Sequence, residues 1–116
     1  QEHMTAKNTL LSAPPYAVEQ ALKRLGTDLR TARLRRNLTI VDVASKIGTG
    51  PRPVCDAEKG KPSTSAAVYI ALLWVYDLLD QMGDVANPEL DEHGLALSMT
   101  RERTRDRERK ELDNEF

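Results

Sequence analysis

The sequence predicts an all-α protein, and three observations carry that prediction. Apolar residues recur every three or four positions, and strand-like alternation is absent until the far C-terminus. Only 4% of residues are aromatic against 40% hydrophobic overall, a composition rich in Leu, Ala and Arg that suits helices better than a sheet. Helix-starting and helix-ending residues fall at the ends of the periodic stretches. At 116 residues the chain has room for one domain and its tails. The expected division is a flexible arm over 1–16, a helical domain over 17–86, a short helical extension over 87–99 and a flexible charged tail over 100–116.

Each element has its own justification. The arm ends in Ala13-Pro14-Pro15-Tyr16 and lacks periodicity; Gln1-Glu2-His3 ahead of Met4 reads as an expression scar, with no signal peptide expected. The first long helix is predicted from about Ala17 to Arg36, where Val18, Leu22, Leu25, Leu29 and Ala32 share a face. Arg30, Arg33, Arg35 and Arg36 gather near its end, where cations complement the helix dipole. Thr39 is placed to cap the next helix, with Asp42 at the third helical position, and Gly48 to end it. A further short helix starts near Pro51; proline is tolerated there because the first helical N–H groups have no intrahelical partner. Val54 and Ala57 are expected to face the core, leaving Arg52, Cys55, Asp56 and Lys59 outward. The fourth helix, from Ser63 or Thr64 to about Val75, is apolar nearly all round, and Asp77 can cap a fifth over Leu78 to Val85. Asn87-Pro88 marks one more helix start, and residues 91–97 suggest one or two turns.

Charge is unevenly distributed behind a net value of −1. Residues 17–76 hold ten Lys/Arg against five Asp/Glu, residues 77–98 hold six acids and no base, and residues 99–116 hold six of each. The basic excess therefore falls on the half of the chain that contains the two short helices, where a phosphate backbone would need it. A single cysteine excludes an internal disulfide and a Cys-based zinc site, and a reducing cytoplasm is expected. The longest uncharged run, Pro62 to Tyr76, is too short to span a bilayer. His3 and His93 have no ligand-spaced companions, so neither metal nor cofactor is expected, and no convergent nucleophile or acid–base set suggests an enzyme.

Residues 38–61 carry the most information. Two short helices joined by a turn of three or four residues containing Gly form a helix-turn-helix pattern, which can present its second helix to a DNA major groove. Through Leu38-Thr39, Val43-Ala44, Gly48, Val54 and Glu58-Lys59-Gly60-Lys61, the stretch resembles the Xre or phage-repressor class. The resemblance implies a five-helix repressor-like domain whose recognition helix supplies base contacts from its first turn. Gly50, Pro51 and Pro53 stand where polar residues are usual in that class, which leaves Arg52 as the main base reader, with Thr49, Cys55 and Asp56 as contributors. Arg52 can bind guanine bidentately or contact phosphate only; both readings stand. Cys55 is a redox-sensitive thiol or simply a small outward side chain. Thr39, Lys46, Lys59, Lys61 and Ser63 are the candidate phosphate contacts. Ile40 occupies a position where many members carry a backbone-contacting glutamine. In the resembling class Glu58 packs inward against an arginine of the first helix, here Arg30 or Arg33.

Apolar surplus on the fourth helix suggests a homodimer interface of Tyr69, Leu73, Trp74, Tyr76 and Leu78, the alternative being cover by later segments of the same chain. Residues 64–97, including LLDQMGDVANPELDEHGLALS, look like HipB-type antitoxins encoded beside HipA-like serine/threonine kinases. This subgroup resemblance covers roughly residues 20–107. It implies a cytoplasmic, nucleoid-associated dimer that binds double-stranded operator DNA, represses its own operon and holds a kinase toxin inactive. A stand-alone repressor would share every DNA-binding feature. In the tail, Arg101, Arg103, Arg105, Arg107 and Arg109 alternate with mostly acidic residues. That pattern reads as a disordered polyampholyte, or as a segment that orders on a partner, for instance as a strand with five arginines on one face.

Overall fold

Proline decides where the first long helix starts. In the computed structural model, which describes residues 8–114, Asn8 caps a single turn, α1 (Thr9–Ser12), and Pro15 then stands immediately before α2 (Tyr16–Arg35). Residues 1–7 of the expected arm, with its scar, lie outside the described residues. The rest of that arm is not structureless, since one turn of helix and the first residue of α2 fall within it. Among the described residues every element is helical and no strand occurs.

Local chemistry sets the next two elements. Asp42 N donates to Thr39 Oγ1 at 3.0 Å, and Thr39 N donates to Asp42 Oδ2 at 3.1 Å, so α3 (Ile40–Ile47) opens with the reciprocal capping box the sequence predicts. It closes at Gly48, whose φ of +83° is the left-handed conformation that glycine adopts without steric cost. Thr49 and Gly50 complete the turn. α4 (Pro51–Glu58) has no side-chain cap, and Pro51 occupies its first position. α5 (Ala66–Val75) begins after Ser65, whose Oγ accepts from Val68 N at 3.3 Å. It therefore starts slightly later than Ser63 or Thr64.

Among the described residues, 8–79 form one compact unit. Its core is Leu29 and Ala32 of α2, Val43 and Ala44 of α3, Val54 and Ala57 of α4, Tyr69, Leu72 and Leu73 of α5, and Tyr76 just beyond. α4 packs against α2, α3 and α5, so it is held from three sides. The approach to α2 is close enough to exclude side chains. A Cβ on Gly26 would lie 2.5 Å from the Ala57 carbonyl oxygen and 2.8 Å from Gly60 N, and Gly60 itself has φ +70°.

The core assignment corrects the expected dimer surface. Tyr69, Leu73 and Tyr76 are buried within the single chain and Leu78 is half-buried, whereas Trp74 is 59% exposed. A helix packed against more than one neighbour needs more than one apolar face, and α3 and α4 take up most of the surplus read from the sequence of α5. What remains outside is a narrow stripe of Ala67, Ile70 and Trp74 at helical spacing.

Residues 80–114 form the second unit among the described residues. The fifth helix expected over Leu78 to Val85 is a tighter 3-10 segment, Leu79–Asp84, that straddles the boundary. A single 3-10 turn, Pro88–Leu90, follows under an Asn87 cap that accepts from Glu89 N at 3.0 Å. Asp91 Oδ1 then accepts from Gly94 N at 3.0 Å, opening α6 (Glu92–Asn114). This single helix runs unbroken from the later part of the expected extension over 87–99 into the expected tail over 100–116, whose residues 115 and 116 lie outside the described ones. In the chain by itself the described tail residues are therefore helical, neither unstructured nor a strand. Arg, Glu and Lys are strong helix formers, no Gly or Pro follows Gly94, and opposite charges recur three apart, as in the Asp106–Arg109 pair at 3.7 Å. Alternation that would sort charges on a strand instead wraps them around α6, whose residues are all outside the core.

Candidate nucleic-acid interface

An exposed helix can read a surface only if something behind it fixes its pose. α4 is fixed by three devices. Val54 and Ala57 are fully buried, as their three-residue spacing predicts. The Gly26–Gly60 contact sets the distance between the α2 and α4 backbones without any side chain between them. The third device is ionic: Arg33 Nε donates to Glu58 Oε2 at 2.7 Å and Arg33 Nη2 to Oε1 at 3.1 Å, while Nη1 donates to the Leu38 carbonyl at 2.9 Å. The pair is 10% and 7% exposed. A two-pronged fork of this kind fixes orientation as well as distance. Hydrogen bonding to Glu58 raises the Arg33 pKa against the opposing effect of burial. Of the two arginines that the family resemblance offered as Glu58's partner, the structure brings Arg33 to it and leaves Arg30 exposed.

A second arginine, missed from the sequence, ties α2 to the end of α5. Arg36 Nη2 donates to the Tyr76 carbonyl at 2.7 Å and Nη1 to the Ala32 carbonyl at 2.9 Å, and the guanidinium lies 5.5 Å from the centre of the Tyr76 ring. Arg36 thus satisfies a carbonyl at the end of α5 as well as one on its own helix. Tyr76 is almost wholly buried, and its hydroxyl has no hydrogen-bond partner among the described residues. Burial, reinforced by the Glu58 charge and opposed by Arg33 and Arg36, pushes its pKa up to about 12.

The outward side of α4 carries Arg52, with its side chain 80% exposed, and Lys59, also exposed; Cys55 and Thr49 are half-buried. Asp56 is not a free contributor. Its carboxylate, 21% exposed, accepts from Arg52 Nε at 3.4 Å and pairs with Lys61 Nζ at 3.3 Å. Desolvation alone would raise its pKa, but Lys61 and then Arg52 outweigh it and hold Asp56 below the usual carboxylate range. Lys61 is positioned in turn by its own carbonyl, which accepts from the Tyr69 hydroxyl at 3.1 Å.

The other predicted contacts are distributed around this face. Lys46 near the end of α3 and Ser63 in the loop before α5 are exposed. Thr39 is exposed too, although its hydroxyl already accepts from Asp42 N. Hydrogen bonds from the Thr39 backbone and side chain hold Asp42 below its ordinary range. Between α4 and the start of α5 lies an open groove of about 190 Å³, lined by Pro53, Asp56, Ser63, Thr64, Ser65 and Val68. The five tail arginines are exposed along α6, where helical spacing puts Arg101, Arg105 and Arg109 on one stripe and Arg103 and Arg107 on another.

No cluster of His, Cys, Asp and Glu suited to a metal ion occurs among the described residues, and no described helix is long and apolar enough to cross a membrane. Comparison with protein-family models, with curated proteins and with solved structures finds no match.

Proposed function

We propose that the chain is a sequence-specific DNA-binding repressor of the helix-turn-helix, repressor-like kind, with α3 and α4 as the two helices and α4 as the reader. One observation carries this reading: α4 is locked from behind by the Arg33–Glu58 fork and the Gly26–Gly60 contact, while Arg52 is 80% exposed on its outer side, held only at Nε by Asp56. Stabilising one face so heavily while leaving a long cation on the other suits a rigid element that enters a groove. Arg52 is the base-reading candidate. Lys46, Lys59, Lys61, Thr39 and Ser63 supply phosphate contacts, which set register without reading sequence.

Two copies joined through Ala67, Ile70 and Trp74 would present two such helices to two half-sites. The finer reading, an antitoxin that autoregulates its operon and binds a HipA-like kinase, rests on the resemblance of residues 64–97 alone. Co-purification of a kinase with the native protein tests that part separately.

Duplex titrations at several salt concentrations test the main reading. If the bound form neutralises about six to ten phosphates, affinity falls by roughly three to five decades between 50 and 200 mM salt. A flat salt dependence, or no duplex binding at low salt, removes the reading.

A further inference from the structure

We infer that Asp56 is a positioning residue for Arg52, aiming its guanidinium so that α4 discriminates between bases. This rests on the DNA-binding reading above and adds a specificity-determining residue to it.

The geometry is asymmetric in a useful way. Arg52 Nε is the nitrogen engaged by Asp56 Oδ1, while Nη1 and Nη2 have no protein partner among the described residues. Those two nitrogens form the end of the guanidinium fork, the part that matches the paired acceptors O6 and N7 of guanine. A brace on Nε therefore restricts the swing of the side chain without occupying the atoms that read. Asp56 is suited to act as the fixed member. Its side chain is 21% exposed against 80% for Arg52, and Lys61 holds the same carboxylate oxygen from the loop at 3.3 Å. Lys61 is anchored by the Tyr69–Lys61 hydrogen bond to the core, so the brace connects the buried Tyr69 to the exposed reader.

In free protein an exposed pair at i, i+4 is weak. Its influence grows when DNA excludes water from the interface, because the same charges then interact across a less polarisable medium. A carboxylate near phosphates otherwise disfavours binding, and this gives two opposed expectations for its removal. As a merely repulsive charge, Asp56 lost should strengthen binding to every duplex alike. As a brace, its loss should raise affinity for unrelated DNA while reducing discrimination at one base pair per half-site.

The experiment uses the full chain and a preferred duplex selected from a randomised pool, with single-base-pair variants of it. Asp56→Ala, Arg52→Ala and the double variant are compared, after circular dichroism shows each to be folded; Asp56→Asn, which is isosteric and lacks the charge, serves as a second probe. Expected is a loss of roughly three- to tenfold in discrimination for Asp56→Ala. In the Arg52→Ala background, the same Asp56 substitution should change discrimination no further. Additive effects, or equal gains on all duplexes, overturn the inference and leave the DNA reading intact. A wild-type chain that selects no duplex overturns both.

Discussion

Tyr76 shows how a single residue can be both essential and imperfect. Its ring fills the core beside Arg36, yet its hydroxyl is buried without a partner, and an unmade hydrogen bond is costly. Tyr76→Phe should therefore leave the protein as stable or raise stability by about 1 kcal/mol at neutral pH, as read by denaturant unfolding. Alkali adds a second test with a definite sign. The folded-state pKa, up to about 12, lies above the unfolded value near 10, so ionisation favours the unfolded chain. The contribution is complete below pH 10 and is lost as pH rises towards 12, amounting to about 2–3 kcal/mol. Tyr76→Phe should lack that part of the alkaline loss. Equal alkaline sensitivity in both proteins would show that the hydroxyl is hydrated in solution.

Among the elements, the α2–α4 pair makes the clearest wager. Gly26 sits inside a helix, where alanine is favoured by about 1 kcal/mol. Contact with the Ala57 and Gly60 backbones reverses that preference. Gly26→Ala should destabilise the first unit by about 1–3 kcal/mol as the helices are forced apart, and weaken duplex binding more than the stability change explains. Gly83→Ala, at a position with open space, is the control. A neutral or stabilising Gly26→Ala would mean that the two helices can separate freely.

Elements set by neighbours in sequence were legible: the Thr39–Asp42 cap, the left-handed Gly48 and the Pro51 start all depend on contacts within a few residues. Tertiary choices were less so. Arg36 finds its partner 40 residues away, and nothing local distinguishes it from Arg35. Gly26 did carry a signal, an unexplained glycine among strong helix formers, but not the identity of what approaches it. Asp56 looked like an outward polar residue because its spacing is right for one; only the fold shows Lys61 arriving at the same oxygen. In α6 the alternation of charges suggested a strand or no structure, and helical propensity prevailed because no packed surface opposes it.

At the scale of the whole molecule, every buried hydrophobic side chain among the described residues lies between Leu29 and Tyr76. Trp74 stands outside that set, so its removal should spare the monomer. Trp74→Ala is expected to change unfolding stability by no more than about 0.5 kcal/mol; if the proposed dimer forms through α5, sedimentation of the variant reports its loss and duplex affinity falls because two half-sites are no longer held together. Unchanged sedimentation in the variant would remove α5 from the interface. A variant that unfolds would instead place Trp74 in the core.

The backbone contact between α2 and α4 also separates two kinds of sequence change. Because α4 is held by glycines, buried aliphatics and one ionic fork, none of the residues on its outer side is needed to keep it in place. The exposed positions 52 and 59 can then be randomised together with little folding penalty, and a library built there would sample binding preferences on an essentially constant frame. On the proposed DNA-binding reading, evolution has the same freedom: such a chain can change which sequence it prefers without first acquiring stability to spare.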